Sequence, residues 1–206
     1  MPYSEQADVA SDHDAHLREL RQSSEKILSG RFLQVFADQV VLPDGTSSFR
    51  EYVVHPGAVI VIPLLMNDQG QTRIVLERQF RYPVGQVMIE LPAGKRDGQE
   101  DLLLCAQREL REETGYSATQ WAHAGVVHPC ISYSTEYIDI WFAQGLQAGP
   151  SQLDAGEFLE VFSASTDEFF AWCRDGRITD AKTLTGALWL QNYLTGTWPL
   201  HWQDAA

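Results

Sequence analysis

The order of patterned segments predicts an α+β fold, with helices packed on a mixed β-sheet. Three observations carry this reading. The first part of the chain is rich in Val, Phe and Ile and is punctuated by turn residues such as Pro43-Asp44-Gly45. A stretch free of Gly and Pro, rich in Leu, Ala, Gln, Arg and Glu, runs from Asp101 to Thr114. Further apolar strands and two helix-like segments follow it. With 206 residues, 44% of them hydrophobic, the chain can bury the core of one domain, or of one domain with an extension. The expected division is residues 1–55 as a helix plus antiparallel strands forming an N-terminal extension, and 56–206 as the main domain.

Taken in order, Met1 to about Ser11 is polar and expected to fray. Asp12 to Leu28 has helix-compatible spacing at Leu17, Leu20, Ile27 and Leu28, with only weak amphipathicity. From Arg31 an antiparallel hairpin is predicted around Pro43-Asp44-Gly45. Ala58 to Leu65 is a continuous apolar run and reads as a central strand, followed by a turn at Asn67-Gly70 and a strand from Arg73 to Gln79. Trp121 to Val127, Glu136 to Ala143 and Glu157 to Ser163 read as later strands. Thr166 to Asp175, capped by Thr166, and Asp180 to Leu194 read as helices.

The helix from Asp101 to Thr114 ends at Gly115, the usual C-cap residue. At about 100° per residue, Glu109 and Glu113 fall one turn apart on one face with Glu112 beside them, and Leu103, Ala106 and Leu110 form an adjacent apolar stripe. Like charges this close repel. Arg108 can pair with Glu112, but one guanidinium cannot neutralise the cluster. Two readings follow, a solvated acidic face or a site for a divalent cation, whose hard character suits carboxylate oxygens.

The spacing favours the second. Gly94, then five residues to Glu100, then seven to Arg108-Glu109-Leu110-Arg111-Glu112-Glu113-Thr114-Gly115-Tyr116, resembles the Nudix hydrolase signature at every specified position. The flanks REYVVHPGAV, ERQFRYPVGQVMIELPAG and GRITDAKTLTGALWL resemble the ADP-ribose pyrophosphatase branch, so the resemblance spans residues 31 to 194. It implies an α/β/α sandwich. It also implies Mg²⁺, or Mn²⁺, held by Glu109, Glu113 and the backbone carbonyl of Ala93, with Glu112 assisting as a ligand or through water. Glu100 would pair with Arg108 and fix the loop against the helix. Glu136 matches a glutamate that approaches the water, although Pro129-Cys130-Ile131-Ser132-Tyr133 replaces a glycine-containing loop there.

For the substrate, the resemblance places Arg81 on the diphosphate and Arg50 and Glu51 near the adenosine end, with Phe49 or Phe32 available to stack on adenine. Lys95 would face the terminal ribose or solvent. The implied reaction is metal-dependent hydrolysis of ADP-ribose to AMP and ribose 5-phosphate. Alternatives are another nucleoside diphosphate sugar such as GDP-mannose, a dinucleotide such as NADH, or a Nudix-type module that binds without hydrolysis. A homodimer whose N-terminal strands complete the partner's pocket is also implied.

Composition narrows the partners. The 28 acidic against 15 basic side chains leave a formal charge of −13, which argues against nucleic acid, RNA ends included, and against an anionic membrane. The three cysteines, Cys105, Cys130 and Cys173, lack metal-ligand spacing and read as reduced thiols of a cytoplasmic protein.

Overall fold

The computed structural model describes residues 12–205, so the stretch expected to fray, Met1 to Ser11, lies outside the described residues. Two compact units are present: residues up to His55 together with Cys130–Glu136, and Pro56–Pro129 together with Tyr137 onward.

In the first unit a 3-10 turn, Asp12–Leu17, precedes a three-stranded antiparallel sheet of β1 (Leu20–Ser29), β2 (Gln34–Val41) and β3 (Ser47–Val54). The β2–β3 turn is closed by Asp44, whose Oδ1 accepts from the Thr46 backbone N–H at 2.9 Å and hydroxyl at 2.6 Å. The helix expected over Asp12–Leu28 is not formed. Its apolar residues Leu17, Leu20, Ile27 and Leu28 are all exposed, so no helical stripe is buried to offset the entropy of nucleating a helix. Ser23-Ser24 in its middle are weak helix formers, and the ladder from Leu20↔Val41 to Ser29↔Gln34 takes the segment instead. β2 buries Phe36, Asp38 and Val40 on one side, whereas every residue of β1 is exposed.

The second unit is built on a mixed sheet. Its strands are β4 (Ala58–Met66), β5 (Thr72–Arg81), β6 (Gln86–Glu90), β7 (Ala93–Lys95), β8 (Tyr116–Val127), β9 (Ile138–Ala148), β10 (Leu159–Ser165) and β11 (Gln203–Asp204). The order is β10-β5-β4-β9-β8-β11, with β6 beside β5 and β7 beside β4. The β4–β9 pair, Ala58↔Ile138 to Pro63↔Ala143, is parallel and the other pairs are antiparallel.

Three helices cover the sheet: α1 (Leu102–Thr114) on one face, α2 (Thr166–Arg174) and α3 (Ala181–Leu194) on the other. The continuous apolar run of β4 follows from this two-sided cover. Val59 and Val61 pack with Cys105, Ala106 and Leu110 of α1, while Ile60 and Ile62 pack with Phe169 of α2 and Leu190 of α3. This is an α/β/α sandwich.

Several boundaries differ from the sequence reading. Ser165, not Thr166, caps α2, in a reciprocal capping box with Glu168. The short strands β6 and β7 were not predicted. They arise because β5 changes partner: Thr72–Ile74 pair with β4, but Glu77–Arg81 pair with β6, placing Glu90 opposite Glu77. No helix among the described residues is long and apolar enough to cross a membrane.

Candidate active site on helix α1

Helix α1 begins where the Asp101 carboxylate accepts from the N–H groups of Leu103 at 2.9 Å and Leu104 at 3.3 Å. It ends where Gly115 takes the left-handed conformation, φ 74°. Cys105, Ala106 and Leu110 are wholly buried against the sheet, which fixes the helix's rotation. That rotation turns Glu109 and Glu113 inward, at 9% and 4% exposure, and leaves Glu112 half-buried at the rim.

Arg108 ties this face to the loop before it. Its Nε and Nη2 donate to the two oxygens of Glu100 at 3.0 and 2.9 Å, and Nη1 donates to Glu109 at 2.8 Å and Glu112 at 3.0 Å. Nη2 also reaches the Lys95 carbonyl at 3.2 Å. The hydrogen bonds from Arg108 hold Glu100 below the usual carboxylate range. Burial acts in the opposite direction on the inner pair, raising Glu109 to about 7. Glu113 is raised as well, by burial and by the nearby Glu77 and Glu109.

The β7 segment closes over this ridge. The Ala93 N–H donates to Glu113 Oε2 at 3.0 Å, and Gly94 lies so close to Glu109 that a Cβ there would overlap its carboxylate. On β5, strand alternation places Glu77, Gln79 and Arg81 on the α1 side of the sheet. Arg81 grips Glu90 with both Nε, at 2.7 Å, and Nη2, at 2.9 Å. Lys182 of α3 pairs with the same Glu90 carboxylate and, at 3.0 Å, with Asp180. Burial alone would raise Glu90, but these two cations outweigh it and hold the carboxyl low. Glu77 is wholly buried and neither oxygen has a hydrogen-bond partner among the described residues, so burial followed by the Glu90 charge raises it despite the nearby Arg81 and Lys182 cations.

The sequence profile of the NUDIX domain matches residues 54–185. The chain is also 37% identical to the methanol dehydrogenase activator of Bacillus methanolicus over 82% of this chain and 90% of that protein. It belongs to the Nudix hydrolases. An ADP-ribose pyrophosphatase of Bacillus subtilis is 33% identical over 85% of this chain and 94% of its own length. The crystal structure of an ADP compounds hydrolase shares the fold at a TM-score of 0.77 and 19% identity, covering 87% of this chain and 95% of that one.

Nudix hydrolases generally use divalent metal ions, and the residues of this Nudix chain fit one. Glu109, Glu112 and Glu113 supply hard oxygens, Gly94 leaves the room that a side chain would take from Glu109, and buried Glu77 has neither carboxylate oxygen hydrogen-bonded among the described residues. Among the described residues no three such groups already converge in ligating geometry. Arg108 holds Glu109 and Glu112, and Ala93 holds Glu113, so an entering cation competes with those hydrogen bonds.

The second unit of this Nudix chain thus brings together Ala93, Glu100, Arg108, Glu109, Glu112 and Glu113, with Arg81 in the field of Glu113. Lys95 contributes its carbonyl to Arg108, while its ammonium stands 3.9 Å from Asp97. The remaining candidates belong to the first unit. Arg50 pairs with Glu19 and donates to the Phe49 carbonyl at 2.8 Å, Glu51 is exposed on β3, and Glu136 lies 3.9 Å from His55 Nδ1. Phe32 and Phe49 are exposed rather than buried.

Sequence reasoning missed Glu77, Glu90, Lys182 and Glu157. Glu157 was read as the first residue of a strand, but it sits in the loop before β10. That loop is fastened to the end of α1 by Gly149 N–H to Gly115 O, 2.7 Å, and Gln152 N–H to Glu112 O, 2.9 Å. Glu157 accepts from Gln79 Nε2 at 3.4 Å, and its charge helps to raise Glu77, Glu109 and Glu113. The acidic turn Asp154-Ala155-Gly156-Glu157 was the available signal. An open groove lined by Arg78, Ile89, Glu160, Phe162 and Trp172 shares no residue with the site.

Proposed function

We propose that this Nudix hydrolase cleaves the diphosphate bond of ADP-ribose, giving AMP and ribose 5-phosphate. The observation that carries the proposal is the buried pair Glu109 and Glu113 facing Ala93–Gly94, with the partly exposed Arg81 guanidinium on the neighbouring strand. The pyrophosphatase relative from Bacillus subtilis, matched over nearly its whole length, supports the choice of substrate.

In this reading Glu109, Glu113 and the Ala93 carbonyl hold Mg²⁺, or Mn²⁺, and Glu112 assists. When bound, the cation neutralises diphosphate charge and lowers the pKa of water. Arg108, fixed by Glu100, holds Glu109 and Glu112 together against their mutual repulsion before the cation enters. Arg81 spends Nε and Nη2 on Glu90, and its Nη1 has no partner among the described residues. That edge is free to donate to a phosphate oxygen. Lys95 faces the terminal ribose.

Two carboxylates outside the helix are candidates for taking the proton of the attacking water. Glu157 is favoured because its loop is fastened to the end of α1, and Glu136, or a glutamate of α1 itself, is the alternative. We place the enzyme in the cytoplasm, where its three free cysteines stay reduced. We also read it as a homodimer. The apolar residues exposed on the first unit, Leu20, Ile27, Leu28, Phe32 and Leu33, favour an interface there.

A panel of ADP-ribose, GDP-mannose and NADH, assayed for phosphate released after phosphatase coupling, tests the substrate. ADP-ribose is expected to give the highest kcat/KM, and Glu113→Gln to abolish turnover. A preference for GDP-mannose or NADH, or full turnover by Glu113→Gln, contradicts the proposal.

A further inference from the structure

Among the described residues the guanidinium of Arg81 is held only on one side, and what holds it is itself held from a distant part of the chain. Glu90 is 2% exposed at its side chain and accepts Arg81 through both oxygens. A carboxylate this buried needs its second lone pairs and its remaining charge satisfied. Lys182 does this, reaching Glu90 from the first turn of α3, a helix that covers the opposite face of the sheet. At this level β5 has exchanged β4 for β6, the strand that carries Glu90.

The station on α3 is itself rigid. Asp180 caps the helix, accepting from the Thr183 N–H at 3.0 Å and hydroxyl at 2.7 Å, and takes the Lys182 ammonium on the same oxygen at 3.0 Å. Thr183 is wholly buried, and its hydroxyl accepts from the Leu91 N–H at 3.0 Å, one residue past Glu90. A continuous chain of polar contacts therefore runs from Arg81 through Glu90, Lys182, Asp180 and Thr183 to Leu91, two residues before the Ala93 N–H that meets Glu113.

From this geometry we infer that Lys182 is a positioning residue: through Glu90 it fixes the guanidinium of Arg81, presenting the Nη1 edge to the diphosphate of the substrate. The inference rests on the proposal that Arg81 binds that diphosphate. Lys182 does not itself touch substrate, since its side chain is 15% exposed and is occupied by Glu90 and Asp180. Without its ammonium, Glu90 keeps a single cation partner. The carboxylate then draws Arg81 inward and swings the free edge away from solvent. Because Arg81 grips ground state and transition state alike, the loss falls mainly on KM.

The test compares wild type, Lys182→Met, Lys182→Arg, Arg81→Ala and the Arg81→Ala/Lys182→Met double variant. The readouts are kcat and KM for ADP-ribose, affinity for the nonhydrolysable α,β-methylene analogue, and the thermal midpoint. Lys182→Met is expected to raise KM and the analogue's Kd about tenfold with kcat within about threefold, Lys182→Arg to restore both, and Lys182→Met to add less than about twofold in the Arg81→Ala background. If methionine lowers the yield of folded protein, Lys182→Gln is read in the same way.

An active wild type whose KM is unchanged by Lys182→Met overturns the inference alone. So does a Lys182→Met effect that persists in full in the Arg81→Ala background, which would mark a general structural role. A wild type inert toward every nucleoside diphosphate sugar overturns the functional reading itself, and the inference with it.

Discussion

Replacing Gly94 with alanine separates the demands of the fold from those of the site. The backbone there is not left-handed, so alanine is compatible with it, but its Cβ would overlap the carboxyl carbon and both oxygens of Glu109. Those atoms end a flexible side chain. The carboxylate is expected to retreat by on the order of 1.5 Å to restore ordinary contact. Leaving its rotamer costs about 0.5–1.5 kcal/mol, which for a chain of this size lowers the thermal midpoint by only about 1–6 °C. The same displacement at a reacting site costs about 100-fold in turnover. Calorimetry with and without Mg²⁺, beside kcat for ADP-ribose, measures both quantities. Wild-type turnover would show that the glycine does not reserve space for Glu109. A midpoint lowered by more than about 10 °C would show that it serves the fold.

Three further outcomes follow from the same geometry. Burial raises Glu77 above its unfolded value of 4.5, so the folded state binds the extra proton. Metal-free stability should therefore fall as pH rises from 4.5 towards the raised value. Unfolding in EDTA at about pH 5 and about pH 8 should show this, and Glu77→Gln should reduce the dependence, the rest coming from Glu109 and Glu113, and stabilise the protein at the higher pH by on the order of 1–2 kcal/mol; a Glu77→Gln protein less stable than wild type there would contradict it. Glu157→Gln should lower kcat by about 10²–10⁴ while Glu136→Gln changes it by less than about threefold. The reverse result would give the base role to Glu136, and no effect in either would remove both. Asp101→Ala should cost about 1 kcal/mol through loss of the α1 cap and leave saturated turnover unchanged; a large fall in kcat with an unchanged midpoint would show that Asp101 does more than cap.

The parts of this structure legible in the sequence are those specified locally. The run free of Gly and Pro, the stop at Gly115 and the apolar positions Ala106 and Leu110 define α1 within one stretch of chain, although Asp101, read as its first residue, is its N-cap. The helical repeat then places Glu109 and Glu113 on one side without reference to anything else. β4 was legible for a related reason: helices on both faces require an uninterrupted apolar strand, and Ala58–Leu65 is one. What the sequence hid depends on pairings between distant segments. β1 reads as a weak helix because its strand character comes from its ladder with β2, not from its own residues. Glu90 and Lys182 are 92 positions apart, and neither looks unusual alone. Glu157 gains its place from two backbone bonds that pin its loop to the end of α1.

Manganese binding followed by electron paramagnetic resonance tests the central claim most directly. Wild type should take up Mn²⁺ at micromolar concentrations, and Glu109→Gln and Glu113→Gln should each weaken that uptake at least about tenfold while remaining folded. Equal uptake by wild type and both variants, or none by wild type, would mean that the inward carboxylates of α1 do not form a metal site.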